Sequence, residues 1–335
     1  MDEQIIQSEK PENKIILSVE HLLSKYDKNS VLSVKKLVFK GVDKDVYNIT
    51  SPFEINGMQY IAGRVESRES ETDSKTMFFL KSGDEWFLDK KAPVFDLQDP
   101  FISFVNGKII FGGVETKFEM KSSVYRTIFF RGKTIYSLKK FAEGPYGMKD
   151  IRLSLLPSEI SAEISSGLNS KLPGIGIFTR PQGKIGGRGR IGFMKIDSID
   201  DLKKLEGEDY YSAKLLEDSF MEEQWLGVNA VYNLKNGKLG VFGHIACFTG
   251  NQKNYYPIVF VFDHKTHGFS NMKIMATRNE LPEGKAKMPK LKNVLFPGGL
   301  IRLGDGTAAL YVGAGDAEAY KITIKDPFIE HESSS

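Results

Sequence analysis

The chain has 335 residues, 41% apolar and 27% charged, and its 46 basic and 43 acidic side chains leave a formal net charge of +3. So even a balance argues against a protein held to nucleic acid or a membrane surface by bulk charge, while the apolar share suffices for a sizeable core. Cys247 is the only cysteine, which excludes an intrachain disulfide and a cysteine-based zinc cluster.

From the amino terminus, MDEQIIQSEKPENK is polar and lacks the apolar core of a signal peptide. No run approaches the length of a membrane-spanning helix. A cytoplasmic protein is expected, with neither membrane nor nucleic-acid partners and with disorder over about residues 1–15 and 330–335. SVEHLLSKY (18–26) has short amphipathic helical spacing. SIDDLKKLEG (198–207) has it too, with a serine N-cap and a closing glycine. Both read as inserts or terminal decoration. Residues 158–189, rich in Ser, Gly and Pro, read as a long loop holding one strand.

Between these segments a motif recurs: apolar residues, then Asn-Gly or Asp-Gly, then an apolar run ending in glycine. It appears as INGMQYIAG (55–63), VNGKIIFGG (105–113), LKNGKLGVFG (234–243) and GDGTAALYVG (304–313). Asn-Gly and Asp-Gly supply the positive φ angles of a type I′ turn, so each copy predicts a β-hairpin tip. The turn glycines, Gly57, Gly107, Gly237 and Gly306, are spaced by 50, 130 and 69 residues. With one copy degenerate, these spacings fit a unit of roughly 50–70 residues, too long for a hairpin and suited to a four-stranded blade, which gives about five blades. A β-sandwich would also show several such hairpins. The expected fold is all-β, a five-bladed β-propeller with short helical inserts, forming one domain over residues 1–335.

No Gly-rich phosphate loop, zinc-protease signature or nucleophile elbow is present. His264 and His267 are the only close histidines and lack a carboxylate at ligand spacing, so no metal is expected. Charges interrupting apolar strand ends are more telling: Arg64, Glu66, Asp99, Arg126, Lys149, Asp150, Arg152, Arg180, His244 and Asp316. Any one of them fits a buried ion pair or an exposed strand face. Together they suggest the centre of a propeller, and their cations suit an anionic substrate such as phosphate. Asp99, between apolar residues and Pro100, reads either as a turn residue or as a catalytic acid.

Four segments carry a resemblance, in this order: NITSPFEINGMQYIAGRVESR, DLQDPFISFVNGKIIFGG, MKDIRLSLLP and VLFPGGLIRLGDGTAALYVGAGDAEAY. The order resembles the five-bladed mannoside phosphorylases of glycoside hydrolase family 130. Over the whole chain the resemblance is closer to the sister group DUF1861, glycosyltransferase family 108, of inverting β-1,2-mannosyl transferases and phosphorylases. It implies Asp99 as the catalytic acid and Lys149 and His244 as phosphate holders, with Arg126, Arg131 and Arg152 as further phosphate candidates. Asp316, Arg64, Glu66 and Asp150 would line the sugar pocket, and Arg180 would lie toward the acceptor. Phe101 departs from the broader pattern, which has arginine after Asp-Pro, so that contact is missing or supplied elsewhere.

The function so implied is phosphorolysis of β-1,2-linked mannosides to mannose 1-phosphate, with phosphate as co-substrate and no other cofactor. Such an enzyme needs one acid, because phosphate is itself the nucleophile, whereas an inverting hydrolase needs a second carboxylate. Glu66 and Glu115 are candidates for that base. The same pocket would also suit a transferase using GDP-mannose or mannose 1-phosphate. A non-catalytic glycan-binding propeller would need neither the acid nor the cations. The oligomeric state is left open.

Overall fold

The computed structural model describes residues 17–70, 72–118, 123–157, 173–216 and 221–332. Nearly all regular structure among them is antiparallel strand in four hydrogen-bonded sheets. The first sheet runs outward from Asp45–Tyr47 and Phe53–Ile55, which share the edge of Met58–Glu66, through Lys75–Ser82 and Glu85–Leu88 to Phe39–Lys40. The second orders Gln98–Val105, Lys108–Phe118, Ser123–Gly132 and Lys139–Glu143. The third orders Arg152–Leu155, Ile175–Thr179, Gly192–Ile196 and Lys214–Leu215.

The fourth sheet has eight strands and consists of two antiparallel meanders. One is Trp225–Asn233, Leu239–Thr249, Gln252–Phe262 and Lys273–Ile274; the other is Asn293–Arg302, Thr307–Ala314, Glu318–Lys325 and Val31–Lys36. They join only through the parallel pairs Asn254–Asn293 and Tyr255–Val294. Val31–Lys36, from the start of the chain, completes the meander built from its end.

The first strands of the meanders pack against one another around a shared centre. Apolar cores lie between neighbouring meanders, because each sheet has apolar side chains on both faces. Phe178 and Phe193 of the third sheet meet Phe262 of the fourth, with centroids 4.8 to 5.5 Å apart. Each of these buried rings contributes about 1.5–3 kcal/mol by leaving water. Equivalent cores join Phe111 to Phe78, and Phe101 with Phe129 to Leu153 and Ile177.

The hairpin motif is realised in two forms. At Asn56–Gly57 and Asn106–Gly107 both residues have positive φ, as a type I′ turn demands. At 236–237 and 305–306 only the glycine does, and the loops are longer: Leu234 closes on Lys238, and Leu303 on Thr307. The glycine ending each copy has a second role. A Cβ at Gly113 would stand 2.7 Å from the Gln98 carbonyl, at Gly243 2.3 Å from that of Gly227, and at Gly313 2.3 Å from Asn48 Oδ1. Gly113 and Gly243 admit the backbone of the inner strand where it bulges, and Gly313 admits Asn48.

The helical expectations hold with adjusted ends. Val19–Ser24 is helical, with Ser18 capping His21 N. Ile199–Lys204 is a 3₁₀ helix, and Gly207 opens the following turn rather than closing this one. Within the predicted 158–189 loop, Ile175–Thr179 is the expected strand, while 158–172 lie outside the described residues. So do 1–16 and 333–335; residues 329–332, partly within the tail expected to be disordered, form a helical turn that Arg302 ties down through Glu332. No helix among the described residues is long and apolar enough to cross a membrane.

Candidate active site

Among the described residues, seven that are not glycine have positive φ: Asn48, Asn56, Asp99, Asn106, Asp150, His267 and Asp316. Asn56 and Asn106 are hairpin tips and His267 lies in an outer turn. The other four bring amide or carboxylate side chains to one region, where Arg64 acts on Asp99 and Asp316, and Arg152 on Asp99 and Asp150. Asn and Asp tolerate the left-handed region best, yet such backbone costs energy and collects at functional sites. Asp99 owes its angle to a bulge: the ladder steps from Gln98–Val114 to Phe101–Gly112, leaving Asp99 and Pro100 outside the pairing.

Asp99 is buried. Its Oδ1 accepts from Asn48 Nδ2 at 2.8 Å and lies 3.5 Å from Arg64 Nη1. Arg64 in turn grips Glu66, at 2.9 and 3.1 Å, and lies over the Tyr47 ring. Glu66 also accepts from Tyr47 and from Lys287 Nζ, the latter at 2.5 Å. Burial opposes the Glu66 charge, but Arg64, Lys287 and Tyr47 prevail and hold its carboxyl below the usual range. Asp316 has no hydrogen-bond partner among the described residues. Burial and the nearby Asp99 push its carboxyl up, against Arg64, Lys253 and Lys287.

The second half of the site is cationic. Asp150 is buried with Arg180 Nη1 at 3.4 Å and Arg152 Nη2 at 3.8 Å. Burial works against its charge, but Arg180, Lys149 and Arg152 outweigh that and hold its carboxyl at about 2. Lys149, half-buried over the Tyr125 ring, has no carboxylate within ion-pair distance among the described residues. His244, 1% exposed, meets Asn229 Oδ1 through Nδ1 at 2.8 Å. Burial chiefly, with Arg180, Lys149 and Arg152 adding and Asp150 opposing, pushes its imidazole down to about 3. Arg180 and Asp150 thus stand with Lys149 and His244 rather than beside Arg64.

Three of the expected phosphate holders are placed differently. Arg126 pairs with Glu115 at 2.8 Å and Glu143 at 2.5 Å within its own sheet. Its neighbour Tyr125 faces Arg180 and Asp150, and successive strand residues point to opposite faces. Arg131 pairs with Asp200, six residues and about 20 Å farther along the strand than Tyr125. Arg152 is central, but Nε donates to the Asn229 carbonyl and Nη1 to that of Ile151. Its guanidinium lies 4.2 Å over Phe101, so where the broader pattern has an arginine this chain brings one from the next sheet. Neither Arg126 nor Arg131 joins the cluster, and Arg152 bridges its two halves structurally.

Asn48, Tyr47, Lys287 and Asn229 also belong to the site, although the sequence alone does not single them out. Lys287 lies 221 residues from Glu66, so no local pattern marks it. Asn48 alone has a legible signal, a polar residue directly before Ile-Thr-Ser-Pro, at the head of the first segment that carries the resemblance.

An all-β array of curled sheets is the fold of propeller-type enzymes. β-1,2-Mannobiose phosphorylase from Listeria innocua shares the fold, with a TM-score of 0.58 at 13% identity, covering 96% of this chain and 98% of that one. The family model DUF1861, described as a protein of unknown function, matches residues 24–330, and the chain belongs to that family. MPT-4, a mannose phosphorylase from Leishmania mexicana solved with a phosphate ion, is 32% identical over 93% of each chain, with a TM-score of 0.80. MPT-1, a GDP-Man-dependent mannosyltransferase from the same organism, is 33% identical over 94% of this chain and 96% of that one, also at 0.80. No curated protein matches the sequence.

Proposed function

We propose that the protein is an inverting phosphorylase of β-1,2-linked mannosides, built as a single five-bladed propeller and acting in the cytoplasm. The blade count takes each meander as one blade, the eight-stranded sheet holding two. One observation carries the reading: Asp99 is held by Asn48 and Arg64 beside a cationic half in which Lys149 has no carboxylate partner among the described residues. Phosphate docks at Lys149 and His244, and the mannosyl hydroxyls meet Asp316 and Arg64. A phosphate oxygen attacks the anomeric carbon as the glycosidic bond breaks. The leaving oxygen takes its proton from Asp99, directly or through a sugar hydroxyl. The cations hold the nucleophile in line and offset its charge.

The two carboxylates that the sequence offers as a hydrolase base are both committed, Glu66 to Arg64, Tyr47 and Lys287, and Glu115 to Arg126. A second reading, transfer of mannose from GDP-mannose, is favoured by the equal likeness to MPT-1. The test is to incubate the protein with β-1,2-mannobiose with and without phosphate and assay mannose 1-phosphate. Phosphate-dependent release is expected, and Asp99→Asn should lower it by about 10²–10⁴-fold with the fold intact, since asparagine also accepts positive φ. Asp99→Asn releasing mannose 1-phosphate at the wild-type rate removes the catalytic assignment. Turnover of GDP-mannose without phosphorolysis selects the second reading.

A further inference from the structure

His244 is an unusual partner for an anion. Its ring packs against Tyr255 and Phe296, each with centroid 5.3 Å away, and it passes over Gly227, where a Cβ would stand 2.5 Å from Cε1 and 2.9 Å from Nε2. It cannot swing. Nδ1 meets Asn229 Oδ1 at 2.8 Å, and an amide oxygen only accepts, so Nδ1 carries the proton. Asn229 is fixed in turn by the ladder shift between Val228 and Ala230 and by Arg152, whose Nε donates to its carbonyl at 3.0 Å. A neutral imidazole has one N–H, so Nε2, which has no partner among the described residues, presents a lone pair.

The charged and titratable groups facing the ring are Asp150, Arg180, Lys149, Arg152 and Tyr255. Burial chiefly, with the three cations adding, keeps the ring neutral, and Asp150 is already engaged by Arg180. A lone pair aimed at a fully deprotonated anion is repulsive. Aimed at a P–OH, it accepts a hydrogen bond.

We propose that His244 binds phosphate as a neutral acceptor, taking the P–OH hydrogen bond on Nε2, and that Asn229 is the positioning residue that holds it in this tautomer. The proposal rests on the phosphorylase reading. It deepens that reading by giving the site a means to select a protonated tetrahedral dianion over one that carries no proton. Lys149 and Arg180 respond to charge alone; His244 reads the proton.

The probes are inorganic phosphate, sulfate and monofluorophosphate, all dianions near neutral pH, of which only phosphate retains a hydroxyl. Binding of each to the full-length protein is measured by titration calorimetry in a non-coordinating buffer. Phosphate should bind about tenfold or more tightly than the other two, the cost of leaving a buried lone pair facing an anion. In Asn229→Asp the carboxylate stabilises a charged imidazolium, Nε2 becomes a donor, and the ratio should collapse toward unity whatever happens to overall affinity. Equal binding of the three anions by the wild type overturns the proposal without touching the phosphorylase reading. Undiminished selectivity in a folded Asn229→Asp protein overturns the role of Asn229. Absence of any phosphate binding removes both readings, and if the variant does not fold, the wild-type ratio still decides.

Discussion

Asn48 Nδ2 donates to Asp99 Oδ1 at 2.8 Å, and the two residues share a strained backbone, with φ of 43° and 47°. They lie on neighbouring sheets, so this hydrogen bond, with the Arg64 contact at 3.5 Å, sets where the carboxylate of Asp99 sits. Asn48→Gly removes the amide and keeps the backbone angle, which glycine adopts freely. Loss of a charge-assisted hydrogen bond of about 1.5–3 kcal/mol should lower kcat for phosphorolysis by roughly tenfold or more while leaving the phosphate KM unchanged. Unaltered kcat would show that the bulge and Arg64 hold Asp99 without the Asn48 amide.

Lys149 and Arg126 separate a site cation from a structural one. Lys149 stands over Tyr125 with no carboxylate partner among the described residues, whereas Arg126 is bound to Glu115 and Glu143. Lys149→Ala should raise the phosphate KM about tenfold or more while affecting the KM for mannobiose little. Arg126→Ala should leave both constants near wild type and lower Tm slightly, because a partly exposed pair contributes at most about 1 kcal/mol. Steady-state kinetics with each substrate varied in turn decides between them; equal effects of the two variants on phosphate would return Arg126 to the site.

His244 makes stability depend on pH. Its folded imidazole lies at about 3, below the unfolded value of about 6.5, so as the pH falls the unfolded chain takes up the proton first. Its contribution is complete above about pH 6.5 and declines below it, by up to about 1.4 kcal/mol per pH unit. The window between about pH 6.5 and 5 isolates it from Asp150, whose carboxyl at about 2 gives a contribution lost only at lower pH, below the unfolded value near 3.9. Thermal melts should show a steeper loss of Tm across that window in the wild type than in His244→Gln. Parallel curves would mean that the folded ring takes up its proton over the same pH range as the unfolded chain.

Local chemistry alone makes much of the fold legible in the sequence. Asn-Gly pairs specify hairpins because few residues accept two successive positive φ angles, and two of the four copies obey that rule fully. The alternating apolar strands around them require sheets with buried faces. Asp99 stands out as a carboxylate before Pro100 in an apolar stretch, although local chemistry leaves a turn residue and a catalytic acid both open. Only the tertiary structure decided which charges meet. Arg126 and Arg152 look alike as cations in apolar strands, but one finds carboxylates in its own sheet and the other reaches Asn229, 77 residues away. Lys287 became visible only through Glu66, and the role of Asn48 only through Asp99. The physical reason is that strand periodicity reports which side of a sheet a residue occupies, whereas its partner depends on how separate sheets curl around a common centre.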